Sequence, residues 1–288
     1  MKLSPLFCAR LNRRPNPPRK RIIGPANSKK RHARFIDTLT VFLVITFYPG
    51  CATISPPLPR KPFSEQQLKS LIVRIQEQEN RVSSFYRICR LSVEDGYWAQ
   101  DVNILIAGTK DPFRIKIEIT HPWGRPIVHI LVIRDRLEVL SFAEKKIYEG
   151  FFTPEALSRF FPAELDDRMI WAALRGYPTL RRYDRITSLE ANQMNLFNEK
   201  GEEVETIDFY PESLHPRQVT FPEDGIDLAF SGFEEDHGIR YAKEVRMAHK
   251  RGEKKLTLRN GKMAFNKVIP DQIFALDRPP GFATFYLE

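Results

Sequence analysis

The sequence predicts a mainly β (α+β) protein: a single curved antiparallel sheet forming a half-open β-barrel, covered by an N-terminal helix and a two-helix insert. Three observations predict it. Residues 113–120 alternate cleanly, with Phe113, Ile115, Ile117 and Ile119 set against Arg114, Lys116, Glu118 and Thr120, the period of a half-buried strand. Further segments of this kind follow with only short polar or Gly/Pro turns between them, which favours an antiparallel meander over βαβ units. The stretches 64–80 and 153–176 carry apolar residues at helical spacing instead.

In chain order, Ser64 and Gln67 form a capping box, and Leu68, Leu71, Ile72 and Ile75 fall on one helical face. Strands are predicted at 85–93, 98–107, 113–120, 127–134, 137–142 and 146–149. Thr153-Pro154-Glu155 opens a helix with a cap and a proline in its first turn, and Ala156, Leu157, Phe160 and Phe161 supply its apolar side. Asp166-Asp167 caps a second helix, with Ile170, Trp171 and Leu174 inward and Gly176 closing it. Strand candidates resume at 185–190, 193–198, 204–210, 215–221, 226–230, 239–248, 254–259 and 262–266. A sheet of about ten or more strands must curl or close to stay buried. The three helices then cover its concave face.

Charge separates the chain into parts. The net charge of the 288 residues is +9. Residues 1–38 hold eleven basic side chains and one acid, Asp37, so the arm carries +10 and the remainder −1. A basic face for nucleic acid on the folded body is therefore disfavoured. A hydrophobic content of 42% with 21 Phe supports a packed core.

The basic arm runs into an apolar stretch, Leu39 to Tyr48, and then Pro49-Gly50-Cys51. A charged region, a short apolar run and a small residue before a break is the layout of a secretory signal. The run of about ten to twelve residues is short of the roughly twenty a spanning helix needs. The Gly-Cys ending resembles the bacterial lipobox, with Tyr48 where Leu is usual and Pro49 where Ala or Ser is usual. That resemblance implies Cys51 as the first mature residue, carrying a covalent diacylglycerol and an N-acyl chain such as palmitate. An ordinary signal peptide with an incidental cysteine is the alternative. Ala52 fits sorting to the outer membrane, and residues 53–62, rich in proline, read as a stiff tether. The expected organisation is 1–50 arm and signal, 51–62 tether and 63–288 folded domain. Cys89 then has no partner for a disulfide and reads as a buried small hydrophobe.

Catalytic patterns are thin. There is no Gly-x-Ser-x-Gly, His-Glu-x-x-His, Cys-x-x-Cys or phosphate-binding Gly loop. Glu234-Glu235-Asp236-His237-Gly238 gathers four ionisable groups, but between two strand candidates it reads as a solvated hairpin turn. His121, His129, His215 and His249 lack ligand spacing. Lys250-Arg251-Gly252-Glu253-Lys254-Lys255 reads as another exposed turn, in reach of anionic headgroups. No enzyme activity, cofactor or metal is expected.

At Ile117-Glu118-Ile119-Thr120-His121-Pro122-Trp123-Gly124 the sequence resembles the LolB group of outer-membrane lipoproteins and the related lipoprotein-sorting domains of the LolA/LolB fold, including lipoproteins of the DUF4292 type. In LolB a strand ends in Pro-Leu-Gly and the apolar residue of that turn protrudes; Trp123 stands at that position. The acylated cysteine and tether, the amphipathic first helix, the Phe161-Pro162-Ala163-Glu164-Leu165…Trp171…Gly176-Tyr177-Pro178 insert and the Phe274-Ala275-Leu276-Asp277-Arg278-Pro279-Pro280-Gly281 ending run in the same order. Together they cover most of residues 51–288 in short motifs.

The resemblance implies a lipid-binding cavity between half-barrel and helices, lined by Ile115, Ile117, Ile119, Leu157, Phe160, Phe161, Ile170 and Leu174, with Trp123 on a membrane-facing turn. It implies a non-enzymatic acceptor, a monomer, lipid-anchored on the periplasmic face of the outer membrane of a Gram-negative bacterium. Its partners would be acylated lipoproteins, a periplasmic LolA-type carrier and outer-membrane lipid. Three acyl chains of about fifteen carbons, at about 0.8 kcal/mol per CH₂, cost on the order of 30 kcal/mol in water, so such cargo needs an apolar host. The alternative keeps the fold and drops transfer: a structural or assembly lipoprotein whose barrel is filled by its own side chains.

Overall fold

In a computed structural model, which describes residues 61–95, 98–161, 164–249 and 254–287, one sheet of 14 strands dominates the chain. The basic arm, the apolar run, Cys51 and its tether to residue 60, and the turn residues 250–253 lie outside the described residues. Helix α1 (Glu65–Asn80) precedes a meander of β1 (Ser84–Asp95), β2 (Trp98–Thr109), β3 (Arg114–Thr120), β4 (Pro126–Ile133), β5 (Arg136–Ser141) and β6 (Lys146–Phe151). Two helices interrupt it, α2 (Pro154–Ser158) and α3 (Asp167–Arg175). A second meander follows: β7 (Arg185–Thr187), β8 (Gln193–Phe197), β9 (Glu203–Phe209), β10 (Pro216–Phe221), β11 (Ile226–Asp236), β12 (Ile239–His249) and β13 (Lys254–Phe265). β13 pairs antiparallel with β1, so the first strand lies inside the sheet where the two meanders join. The chain ends in β14 (Ala283–Tyr286), and the free edges are β14 and β7, which leaves the barrel open.

The strict antiparallel sheet expected from the sequence is corrected at one edge, where β14 runs parallel to β6. Nothing local announces β14, since Pro279, Pro280 and Gly281 stand just before it and its pairing is decided by a distant strand. The separate candidates at 254–259 and 262–266 are one strand. Gly261 marks a close approach to β1 and not a turn: a Cβ placed there would stand 2.9 Å from Cys89 Cβ. The β1–β13 register slips at the same place, between Ile88 and Arg90, as a bulge requires. The candidate at 226–230 extends to Asp236, and that at 185–190 stops at Thr187.

Local chemistry sets the helices. The Ser64 backbone N–H donates to Gln67 Oε1 at 2.9 Å and Gln67 N–H donates to Ser64 Oγ at 3.4 Å, the capping box of α1. Leu68, Leu71, Ile72 and Ile75 turn inward. Thr153 Oγ1 accepts from Ala156 N–H at 3.1 Å and Asp166 Oδ1 from Met169 N–H at 2.7 Å, which starts α2 and α3. Every residue of α3 from Met169 to Arg175 is buried, so this helix is a plug within the curl and not a surface cover.

Apolar packing exists on both sides of the sheet. The concave side holds one large cluster, in which Trp171 of α3 meets Phe85 at 5.1 Å and Phe113 at 6.4 Å between ring centroids. On the convex side, Ile269 and Phe274 of the C-terminal segment cover Ala107 and Leu131, with Tyr86, Ile133, Ile273 and Leu276 around them. Arg114 holds this strap, its guanidinium 2.7 Å from Asp271 Oδ1 and 4.2 Å from the Phe274 ring centroid. The strap explains why β4 is buried at three consecutive positions, Ile130, Leu131 and Val132, where a one-sided strand would alternate.

Candidate functional site

The eight side chains expected to line a cavity come from β3, the α2 region and α3, and they converge. Alternation along β3 points Ile115, Ile117 and Ile119 inward, and the insert brings Leu157, Phe160, Phe161, Ile170 and Leu174 down upon the same cluster. All eight lie between 0% and 7% exposed. In this conformation they pack against one another and against Trp171, Phe85 and Phe113, and Tyr148 tilts over Phe160 with ring centroids 4.8 Å apart.

Trp123 lies at one end of the same strand. β3 stops at Thr120 and β4 starts at Pro126, and the connection is closed by His121 N–H donating to the Arg125 carbonyl (2.9 Å) and Gly124 N–H to the His121 carbonyl (2.8 Å). Gly124 sits at φ +87°, the left-handed region where a Cβ is penalised. Trp123 is 71% exposed, its indole stacked on the His121 ring with centroids 4.5 Å apart and planes 3° from parallel. The ring therefore stands out in solvent and is not folded into the core. Burial and the neighbouring Arg125 hold His121 below its ordinary value.

A set of buried polar groups around α3 escaped the sequence reading. Arg87 on β1 reaches into the C-terminal end of α3, donating to the carbonyls of Leu174 (3.0 Å) and Ala173 (3.5 Å), and also to Lys243 (3.2 Å) and Ala242 (3.5 Å) on β12. A cation there also meets the negative end of the helix dipole. Burial lowers the Arg87 pKa. Arg175, the last residue of α3, donates to the Gln78 carbonyl of α1 and to the Tyr177 carbonyl (3.4 Å), and burial brings it down to about 10. Gln78 in turn donates to the Gly238 carbonyl (3.0 Å) and accepts from Arg240 N–H (2.8 Å). These bonds tie α1, α3 and the β11–β12 hairpin together.

Glu205 on β9 is fully buried; Oε2 accepts from Arg181 N–H at 2.7 Å and Oε1 has no partner. Burial pushes its carboxyl up to about 8, against the lowering effect of that bond and of the Arg181 and Arg168 charges. Arg181 itself pairs with Asp166 and Asp224, each at 2.8 Å. No spacing rule marks Arg87, Arg175 or Glu205, because isolated charges inside alternating runs read as solvent-facing. The signal available for two of them is parity: Arg87 shares that of Phe85 and Cys89, and Glu205 that of Ile207 and Phe209.

Gly176 ends α3 at φ +82°, and a Cβ there would come within 2.9 Å of the Ala242 carbonyl oxygen. Ala242 N–H donates to the Gly176 carbonyl at 2.7 Å. Gly176→Ala is expected to combine left-handed strain of about 1–2 kcal/mol with that clash, lowering stability by roughly 3 kcal/mol. Thermal melting checks it; an unchanged midpoint would mean that the junction yields freely.

Cys89 is buried beside Arg87, and burial pushes its thiol up to about 11, the opposite of a nucleophilic cysteine. The acidic run at 234–238 is a tight hairpin with His237 and Gly238 at φ 49° and 78°. Its carboxylates are engaged by Arg240 (2.8 Å) and Lys243 (2.9 Å). Among the described residues no group of three His, Cys, Asp or Glu side chains is placed to hold a metal ion.

A large sheet curled around a helical plug and left open at its edges is a half-open barrel. Among solved structures the chain is similar to a DUF1329 family protein from Desulfovibrio piger, at 15% identity and a TM-score of 0.51 over 73% of this chain and 96% of that one. It is also similar to a LolA superfamily protein from Nitrosomonas europaea (14% identity, TM-score 0.46, 73% and 97% covered). A putative outer membrane lipoprotein-sorting protein domain from Vibrio parahaemolyticus follows at 9% identity and a TM-score of 0.42, with 72% and 97% covered. At these identities the likeness is one of architecture. No protein-family model matches the chain, and no curated protein does.

Proposed function

We propose that the chain is a LolB-like acceptor: a non-enzymatic lipoprotein of the outer membrane that binds the acyl chains of other lipoproteins and helps insert them into the bilayer. Cys51 is its lipid anchor, residues 51–62 its tether, and a LolA-type periplasmic carrier its donor. The observation that carries this reading is the large apolar cluster under a helical insert, formed by strands of which one leads into the turn that carries the solvent-exposed Trp123. Acyl chains enter when the insert moves aside, exchanging side-chain contacts for chain contacts of the same apolar kind. The indole prefers the membrane–water interface and carries the cargo's exit to the bilayer.

Native mass spectrometry of residues 52–288, mixed with an acylated lipoprotein on its carrier, tests the proposal. Capture of the acylated cargo and not of the unacylated form is the expected result. Equal behaviour of both forms would favour a second reading, a structural lipoprotein with the same fold. The close packing of all eight candidate residues speaks for that alternative.

Trp123→Glu is expected to leave capture intact and to weaken vesicle binding. Losing roughly 1.5–3 kcal/mol of aromatic burial corresponds to a drop of about ten- to hundred-fold, read by vesicle co-sedimentation. Undiminished binding would remove Trp123 from the membrane-facing role.

A further inference from the structure

We infer that Trp171 supplies the polar contact of the acyl site: its indole N–H donates to the carbonyl at the head of a fatty acyl chain. The site then selects acyl chains over alkyl chains that lack the carbonyl. This rests on the acyl-binding reading above and names the ligand group that is recognised. Trp171 is 3% exposed, and its Nε1 has no hydrogen-bond partner among the described residues. A buried indole N–H ordinarily finds one, because an unmet donor in an apolar setting loses its water and gains nothing in exchange. The rings beside it are Phe85 and Phe113, and it belongs to the same apolar cluster as the eight candidate cavity residues. A phenyl ring would serve packing alone without that cost.

The other buried polar groups around the insert sit among charges. Arg87 and Arg175 already donate to backbone carbonyls, the Tyr177 ring lies 5.2 Å from the Arg175 guanidinium, and Glu205 accepts from Arg181. The Trp171 N–H is instead one neutral donor in hydrocarbon surroundings. Its match is a neutral carbonyl joined directly to an apolar chain, since a phosphate or a polyol would bring further polar surface to be desolvated.

Trp171 also keeps its place when the insert yields. It lies one turn before Arg175, on the end of α3 that Arg87 ties to β1 and Arg175 ties to α1. Leu157, Phe160 and Phe161 precede the opposite end of that helix, so they give way to a chain while the indole holds its position. Phe113 stands immediately before β3. A chain whose carbonyl meets Trp171 therefore extends along Ile115, Ile117 and Ile119, about 13 Å at the rise of a strand, toward the turn of Trp123. The head stays at the β2–β3 end, and the tail leads toward the membrane-facing turn.

The test is a direct competition, read by native mass spectrometry on residues 61–288, which hold their own core. The competitors are monopalmitoylglycerol and its hexadecyl ether analogue, equal in chain length and differing in the carbonyl. The ester is expected to be favoured about three- to tenfold, the worth of one neutral hydrogen bond. Trp171→Phe is expected to abolish that preference. Benzothienylalanine in place of Trp171 keeps the shape of the indole without its N–H, and is expected to abolish the preference while ether binding is unchanged. Equal binding of the two lipids by the unaltered protein would overturn the inference and leave the acyl-binding reading standing, the N–H being then spent on the face of the Phe85 ring. A preference that survives benzothienylalanine would overturn it as well. If neither lipid binds, the acyl-binding reading itself falls.

Discussion

Replacing Glu205 by Gln is expected to flatten the dependence of stability on pH. The folded protein holds the Glu205 proton up to about 8, whereas the unfolded chain releases it near 4.5. The stability tied to the neutral carboxyl is therefore fully present below about pH 4.5 and is lost as pH rises through about 8. At about 1.4 kcal/mol per pH unit, that interval is worth on the order of 4–5 kcal/mol. The groups facing Glu205 are Arg181 and Arg168, which favour its charge, and Asp166, which opposes it. Glutamine keeps an acceptor for Arg181 N–H and never ionises. Denaturant titrations at pH 5, 7 and 9 should show the two proteins alike at pH 5 and the variant several kcal/mol more stable at pH 9. Parallel curves across that range would mean that water reaches the carboxylate and that the barrel is looser near β9 than its packing indicates.

Arg87→Met is expected to cost about 3–5 kcal/mol and to act first on α3. Methionine fills much of the volume but leaves the carbonyls of Ala173, Leu174, Ala242 and Lys243 without this donor. Each unsatisfied buried acceptor costs roughly 1–3 kcal/mol, and partial rearrangement keeps the total below their sum. Hydrogen exchange should show protection lost along 167–176 and 240–244 while β2 to β5 stay protected. Arg87→Lys is expected to recover only part of the loss, because one ammonium cannot serve both carbonyl pairs as a planar guanidinium does. Uniform loss across the sheet would show that Arg87 supports β1 itself and not the seating of the helix.

The contrast between these residues and the β3 isoleucines shows what the sequence expresses. Ile115, Ile117 and Ile119 are legible because each obeys a period imposed by its own strand, and the caps at Ser64, Thr153 and Asp166 are legible because a helix end satisfies its own N–H groups locally. β14 and the convex strap are not legible, since their partners lie more than a hundred residues away and no short-range pattern records them. The buried charges are hidden for a related reason. Arg87 and Glu205 sit at positions where strand parity points inward, yet residue type argues outward, and only the placement of α3 and of Arg181 resolves the conflict. Trp123 is singled out by the resemblance of its Pro122-Trp123-Gly124 turn to the LolB turn. Whether it meets a membrane is a matter for vesicles.

The seam between β1 and β13 has a consequence for how the chain comes to be folded. Each meander is built from neighbours in sequence and can assemble as it is synthesised. Their junction pairs Phe85 with Phe265, 180 positions later. Loops of that length close slowly, and contact order of this kind delays the rate-limiting step. Until β13 arrives, in about the last eighth of the chain, β1 stands as a long unpaired margin of a half-made sheet, the form in which β proteins are most prone to misassociate. A truncation before residue 254 would thus leave a chain able to begin its fold and unable to finish it, a species more hazardous to its compartment than one that never started.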